Sequence, residues 1–196
     1  ISKAPYDRRV ELPYHVKRSS NVEEKKRIAR EAAENIHPNS TIWMDSSTTV
    51  YEMAKYLRPD MNLKVLTNDL MIGAVLAVLP GVEAHVIGGM IRKGYFTLVG
   101  LFALSNLKGV QIDTAFFGSD ALSIKGGCTL LNSDEIALKQ QVMAASAECL
   151  LLADHTKFDW VSPVSFAPIE KACIITDYLP DESYRSFTII EEVSKP

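Results

Sequence analysis

The residues best suited to chemistry are Asp45, Ser46, Ser47, Thr48 and Thr49, which follow the apolar run Ile42-Trp43-Met44 and precede Val50, Met53, Ala54 and Leu57 at helical spacing. A strand that ends in an acid and small hydroxyl residues, then opens a helix, presents backbone N–H groups and Ser/Thr oxygens to an anion, with the helix dipole adding partial positive charge. This is the pattern of a phosphate cradle. The same hydroxyls suit an ordinary helix N-cap, but four in succession exceed what one cap requires.

Similar polar ends recur. Thr67-Asn68 closes an apolar strand at 63–66, Gly88-Gly89 closes one at 83–87, and Gly118-Ser119-Asp120 closes the continuous run 112–117. Asn68, Asp120, Glu135 and Lys139 supply donors and acceptors that can read sugar hydroxyls. Arg92, with Lys93, can neutralise a phosphate from the loop after Gly89, although charges beside a glycine turn are usually only solvated. Glu135 and Lys139 also fit a plain i,i+4 surface ion pair; their place after the glycine turn Gly126-Gly127 puts them at the mouth of the strand ends. His15, His37 and His85 lack ligand spacing and His155 reads as a turn residue, so neither a metal nor a cofactor is expected. A nucleophile elbow, a Walker loop and a dinucleotide fingerprint are all missing.

The elements that must position these residues alternate. An amphipathic helix over 22–36 places Glu23, Glu24, Lys25, Lys26 and Arg27 on one face and Ile28, Ala29, Ala32, Ala33 and Ile36 on the other. Strand, helix, strand, helix, strand with short connections then predicts an α/β fold of three layers, a mostly parallel sheet with helices on both faces. Ligands collect at the carboxyl ends of such strands. A helix is expected over 98–107, another opening with a cap at Ser133, a fifth strand over 149–153, and further strands over 172–176 and 186–190. Residues 1–21, with Pro5 and Pro13 and no sustained period, read as an extended linker remnant, leaving 22–196 as the folded domain.

The chain has 196 residues, is 47% hydrophobic and 23% charged, and carries a net charge of -3, which argues against a broad basic surface for nucleic acid. Without a bilayer-length apolar run or a signal-peptide core, the expectation is a cytoplasmic protein with no membrane contact. Cys128, Cys149 and Cys173 are widely spaced in mostly apolar company and fit buried reduced thiols. The absence of an initial Met suggests a piece of something longer, or a processed product.

Taken in order, Glu24-Lys25-Lys26-Arg27-Ile28-Ala29, Asp45-Ser46-Ser47-Thr48-Thr49, Leu66-Thr67-Asn68, Gly88-Gly89, Asp113-Thr114-Ala115-Phe116-Phe117-Gly118, Gly126-Gly127 with Glu135 and Lys139, and Asp154-His155-Thr156-Lys157-Phe158 resemble the effector-sensing C-terminal domain of DeoR-type bacterial transcription regulators. That family usually has Gly-Thr-Thr where this chain has Ser47-Thr48-Thr49, so the hydroxyls are kept and the close backbone approach is altered. The resemblance implies a phosphosugar-binding fold shared with ribose-5-phosphate isomerase, glucosamine-6-phosphate deaminase and the CoA transferases, used to sense and not to convert. It also implies a phosphorylated sugar effector, a homodimer or homotetramer, and DNA contact only through an N-terminal winged helix-turn-helix outside this chain. The alternative is an aldose-ketose sugar-phosphate isomerase on the same fold, since Gly118-Ser119-Asp120, Lys125-Gly126-Gly127 and Glu135 look like its active-site series.

Overall fold

In the computed structural model, residues 9–193 are described. The chain opens with α1 (Tyr14–Ser19) and α2 (Val22–Glu34), then β1 (Thr41–Met44) and α3 (Thr48–Met53), with a 3-10 turn at Ala54–Tyr56 extending it. Next come β2 (Leu63–Thr67), α4 (Leu70–Leu76), β3 (Val82–Val86), a small hairpin of β4 (Met90–Ile91) and β5 (Leu98–Val99), and α5 (Leu101–Ser105). The second half holds β6 (Ile112–Phe117), β7 (Ala121–Ser123), β8 (Gly127–Leu130), α6 (Ile136–Ala145), β9 (Ser146–Leu152), β10 (Val164–Ala167), β11 (Cys173–Thr176) and β12 (Ile190–Glu192).

Seven strands form the main sheet in the order β12-β11-β9-β6-β1-β2-β3, and every pairing in it is parallel. The chain therefore winds outward from β1 through β2 to β3, returns to lay β6 on the other side of β1, and winds outward again. Between β1 and β6 the winding reverses, which makes their carboxyl ends the crevice where such sheets take ligands.

Alternate side chains of one strand enter different cores. Trp43 packs with Leu107, Leu138, Val142 and Phe117, whereas Ile42 and Met44 pack with Ile28, Ala32, Val50, Met53 and Ile72. A strand buried on both faces must be covered on both; α2, α3 and α4 cover one side and α5 and α6 the other. The expected three-layer α/β architecture is the observed one. Asp69 caps α4 as its position suggests, accepting from Met71 N and Ile72 N at 2.7 and 3.0 Å.

Several local expectations are corrected. The lead-in is not extended past Leu12, because Tyr14–Ser19 is helical, while residues 1–8 lie outside the described residues. The helix over 98–107 splits: Leu98 and Val99 pair with Ile91 and Met90, and Gly100, at φ +97, turns the chain before α5 starts at Leu101. Ser133 does not cap α6; the N-cap position is Glu135, without a side-chain cap bond. The final strand starts only at Ile190, since Glu182–Ser186 forms a 3-10 helix. A second, antiparallel sheet, β10-β8-β7, joins the core beside α6 and has no counterpart in the sequence reading. No helix among the described residues is long and apolar enough to cross a membrane.

Gly127 sets that second sheet, at φ +70 with a Cβ there falling 2.2 Å from the Ala167 carbonyl oxygen. Gly127→Ala is expected to lower the denaturant midpoint, the left-handed backbone alone costing at least ~1 kcal/mol and the clash adding to it; an unchanged unfolding curve would contradict this geometry.

Candidate functional site

Met44 and Phe117 end adjacent strands, so Asp45 and Gly118 leave the sheet side by side. Gly118 N donates to Asp45 Oδ2 at 3.1 Å, and Lys139 of α6 places Nζ on that same oxygen and 3.1 Å from the Gly118 carbonyl. The Lys139 and Asp45 side chains are 2% and 1% exposed. The rings of Phe117 and Phe166 flank the ammonium at 5.8 and 5.2 Å. Each charge is the other's replacement for water, so neither can leave alone. A Cβ on Gly118 would lie 2.5 Å from Ser47 Cβ, which shows how closely the two loops approach.

Above this clip lies a cavity of about 770 Å³. Ser46 and Ser47 at its wall are already engaged. Ser46 Oγ donates to Asp69 Oδ2 at 2.7 Å and lies 2.6 Å from Thr97 Oγ1, while its N–H donates to Asn68 Oδ1 at 3.0 Å. Ser47 is the N-cap of α3, accepting from Thr49 N at 3.2 Å. The hydroxyls of Thr48 and Thr49 make no such bond among the described residues. All four residues line the cavity; two of their hydroxyls serve the fold and two have no partner among the described residues.

The charged groups divide in the same way. Arg92 Nη1 lies 3.0 Å from Glu135 Oε1 and 3.1 Å from Glu11 Oε1, its Nη2 meets Glu11 Oε2, and the guanidinium stacks 4.0 Å over Tyr95. Lys17 Nζ lies 3.0 Å from both Glu11 Oε1 and Asp120 Oδ1. Burial works against the charges of Lys17 and Asp120, but their mutual attraction, together with Glu11 beside Lys17 and the Leu131 N–H and Lys157 beside Asp120, outweighs it, lifting Lys17 to about 12 and holding Asp120 below its ordinary value. Glu135 goes the other way: burial pushes it up to about 7, against the pull of Lys139 and with a further push from Asp45.

Lys25 stands apart. It is 5% exposed, lines the cavity, and donates to the Lys17 carbonyl, yet among the described residues it has no carboxylate within ion-pair distance. Burial lowers its pKa to about 8; Asp154 opposes the shift, and Lys157 and Lys17 add to it. Close by, His155 Nδ1 is 2.8 Å from Asp177 Oδ2, Asn21 Nδ2 donates to Asp154 Oδ1 at 3.1 Å, and the buried Tyr14 hydroxyl has no partner among the described residues.

Ser46, Ser47, Thr48, Thr49, Arg92, Gly118, Asp120, Glu135 and Lys139 are thus brought together at one cavity. Others of the expected set are not at its wall. Asp45 lies beneath it as the partner of Lys139, and Thr67 and Asn68 are wholly buried, Thr67 Oγ1 accepting from Asp69 N at 3.1 Å. Gly88 and Gly89 lie away from it; a Cβ on Gly89 would meet the Val99 carbonyl oxygen at 2.7 Å, so this glycine serves the packing of β5. The i,i+4 pairing of Glu135 with Lys139 also gives way, since the first binds Arg92 and the second Asp45. The sequence reading missed Glu11, Tyr14, Lys17, Lys25, His155 and Lys157, all at the cavity. One signal was present: Lys25 falls in phase with Ile28, Ala29 and Ala32, the buried stripe of α2, not on the solvated face.

The family model described as the DeoR C terminal sensor domain matches residues 20–178. The chain is 37% identical over 166 residues to a proposed transcriptional regulator of the sgc region in Escherichia coli (strain K12), covering 85% of this chain and 63% of that protein. It is 30% identical over 163 residues to the HTH-type transcriptional repressor GlcR of Bacillus subtilis (strain 168), covering 83% of this chain and 62% of the repressor. The chain therefore spans a little under two thirds of the length of these relatives. Among solved structures, eIF2B delta from Chaetomium thermophilum superposes with a TM-score of 0.54 at 18% identity over 74% of this chain and 52% of that one, a likeness of fold alone.

Two outcomes follow from the electrostatics of the site. Lys139→Met, which strands the Asp45 carboxylate, is expected to cost ~3–5 kcal/mol in denaturant unfolding, and adding Asp45→Asn to recover most of it; a single variant as stable as its parent would refute the clip. Because the Glu135 pKa is raised, the folded chain holds that proton more tightly than the unfolded one, and stability falls as pH rises from about 4.5 to about 7. Glu135→Gln is expected to flatten this part of the thermal-midpoint profile, and an unaltered slope would show that another group carries it.

Proposed function

The chain belongs to the family of DeoR C-terminal sensor domains, and we propose that its cavity binds a phosphorylated sugar or related metabolite and releases it unaltered. The observation that carries this reading is Lys25. A buried ammonium with two lysines nearby and, among the described residues, no carboxylate within ion-pair distance opposes folding even with Asp154 in the vicinity, and an anion in the cavity relieves that opposition. The hydroxyls of Thr48, Thr49 and Tyr14, without a partner among the described residues, add donors around the same space. A volume of about 770 Å³ accommodates a molecule much larger than phosphate itself, so there is room for a sugar chain.

Release without conversion is supported by the state of the acids. An isomerase needs a carboxylate free to take a proton from carbon, whereas Asp45, Asp120 and Glu135 are each bound to a cation. The relatives bear the names of transcriptional regulators. We extend the reading to a winged helix-turn-helix reader on the N-terminal side of this domain, through which alone DNA is bound, and to a homodimer or homotetramer. The exposed apolar side chains Met90, Ile91, Leu101 and Phe102 support self-association.

The test is a thermal-shift screen of pentose and hexose phosphates with product analysis. A ligand at a hundredfold excess over its Kd contributes about 2.7 kcal/mol, a rise of roughly 5–10 °C for a chain of this size. Lys25→Met is expected to abolish that rise and, below about pH 8, to stabilise the chain without ligand, because the folded state no longer buries an ammonium. Turnover to an isomer would overturn the sensor reading, and a full ligand response in Lys25→Met would remove its main support.

A further inference from the structure

We propose that Glu11 is a built-in anion that competes with the ligand: a phosphate reaching Arg92 and Lys17 displaces the Glu11 carboxylate and frees residues 10–20 from the cavity mouth. This rests on the reading of the cavity as an anion site and assigns how its occupation is passed to the rest of the molecule.

Both Glu11 oxygens meet the Arg92 guanidinium, and Oε1 also accepts from Lys17 at 3.0 Å, which is how a bound phosphate would be held. Arg92 thus carries two carboxylates, Glu11 and Glu135. Only one of them can yield: Glu135 sits at the start of α6, one turn before the clipped Lys139, whereas Glu11 belongs to the segment that crosses the cavity mouth. That segment meets the core at one point, Arg18, whose guanidinium donates to the Tyr51 hydroxyl at 3.2 Å and lies 4.7 Å over its ring. Helix α1 has no buried residue, and the other polar ties of the segment, Lys17 to Asp120 at 3.0 Å, the Lys17 carbonyl to Lys25 and the Leu12 carbonyl to Tyr95 Oη at 2.8 Å, end on residues that line the cavity. Apart from the Arg18 contact, its position is therefore decided by contacts that a ligand would contest. The Asp45–Lys139 pair, sealed beneath the cavity, is not open to such exchange.

The experiment reads amide exchange at Val16 and Lys17, whose N–H groups each bond to the Pro13 carbonyl at 3.0 Å, with and without inorganic phosphate in the chain and in Glu11→Gln. The variant keeps the shape of the side chain and removes its charge. Without phosphate it is expected to exchange about tenfold faster or more at both amides, the scale of a lost charge-assisted hydrogen bond. Phosphate is expected to speed exchange in the parent, to change little in the variant, and to bind the variant more tightly. Parental protection in Glu11→Gln, slower exchange with phosphate, or weaker phosphate binding by the variant would each overturn the inference. Thermal stabilisation of both proteins by phosphate with both amides unmoved would overturn it while leaving the anion site standing. A loosened segment in the variant with no phosphate stabilisation of either protein would instead refute the anion site.

Discussion

The buried pair of Asp45 and Lys139 is the constraint on which the rest of the molecule depends. It ties the end of β1, the end of β6 and the middle of α6 at the point where the sheet reverses its winding. Parallel strands joined by helices place their carboxyl ends on one edge. They do not by themselves open a crevice of set shape there. The clip does so, because the two charges are out of water and stable only against each other, so the loops that carry Ser47 and Gly118 are held in contact.

With that pair closed, the remaining charges form a graded series. Asp120 and Lys17 stabilise each other, Glu135 is held by Arg92 although burial raises its pKa, and Lys25 is left with no carboxylate within ion-pair distance among the described residues. A fold selected for stability alone would put an apolar residue at position 25, in phase with Ile28 and Ala32. An ammonium retained there costs stability, a sacrifice that binding sites commonly make for affinity. The segment over the mouth belongs to the same balance, since Glu11 supplies to Arg92 and Lys17 what an anionic ligand would supply.

Much of the fold was legible from periodicity. Ile112-Asp113-Thr114-Ala115-Phe116-Phe117 reads as a strand buried on both faces and is one, and Asp69 caps α4 because its carboxylate can reach the next two free N–H groups. Where the reading failed, a distant partner outweighed local preference. Leu98 and Val99 have the composition of a helix start but find a strand partner in Met90 and Ile91. In the sheet β10-β8-β7, β10 joins β8 across more than thirty positions, for example Val164 with Leu130, and no local period announces such a pairing.

By itself the sequence determined the class of architecture, the common edge for Asp45 through Thr49, Gly118 and Asp120, and the family resemblance, all of which are written in periodicities and motifs local to the chain. Only the tertiary structure decided which of those polar groups remain free. Ser46 is consumed by Asp69 and Thr97, Lys139 by Asp45 and Glu135 by Arg92, while Thr48, Thr49 and Lys25 are left facing the cavity. The physical reason is that a side chain's availability depends on which charges and hydrogen-bond partners fold against it, and those partners come from segments tens of residues away.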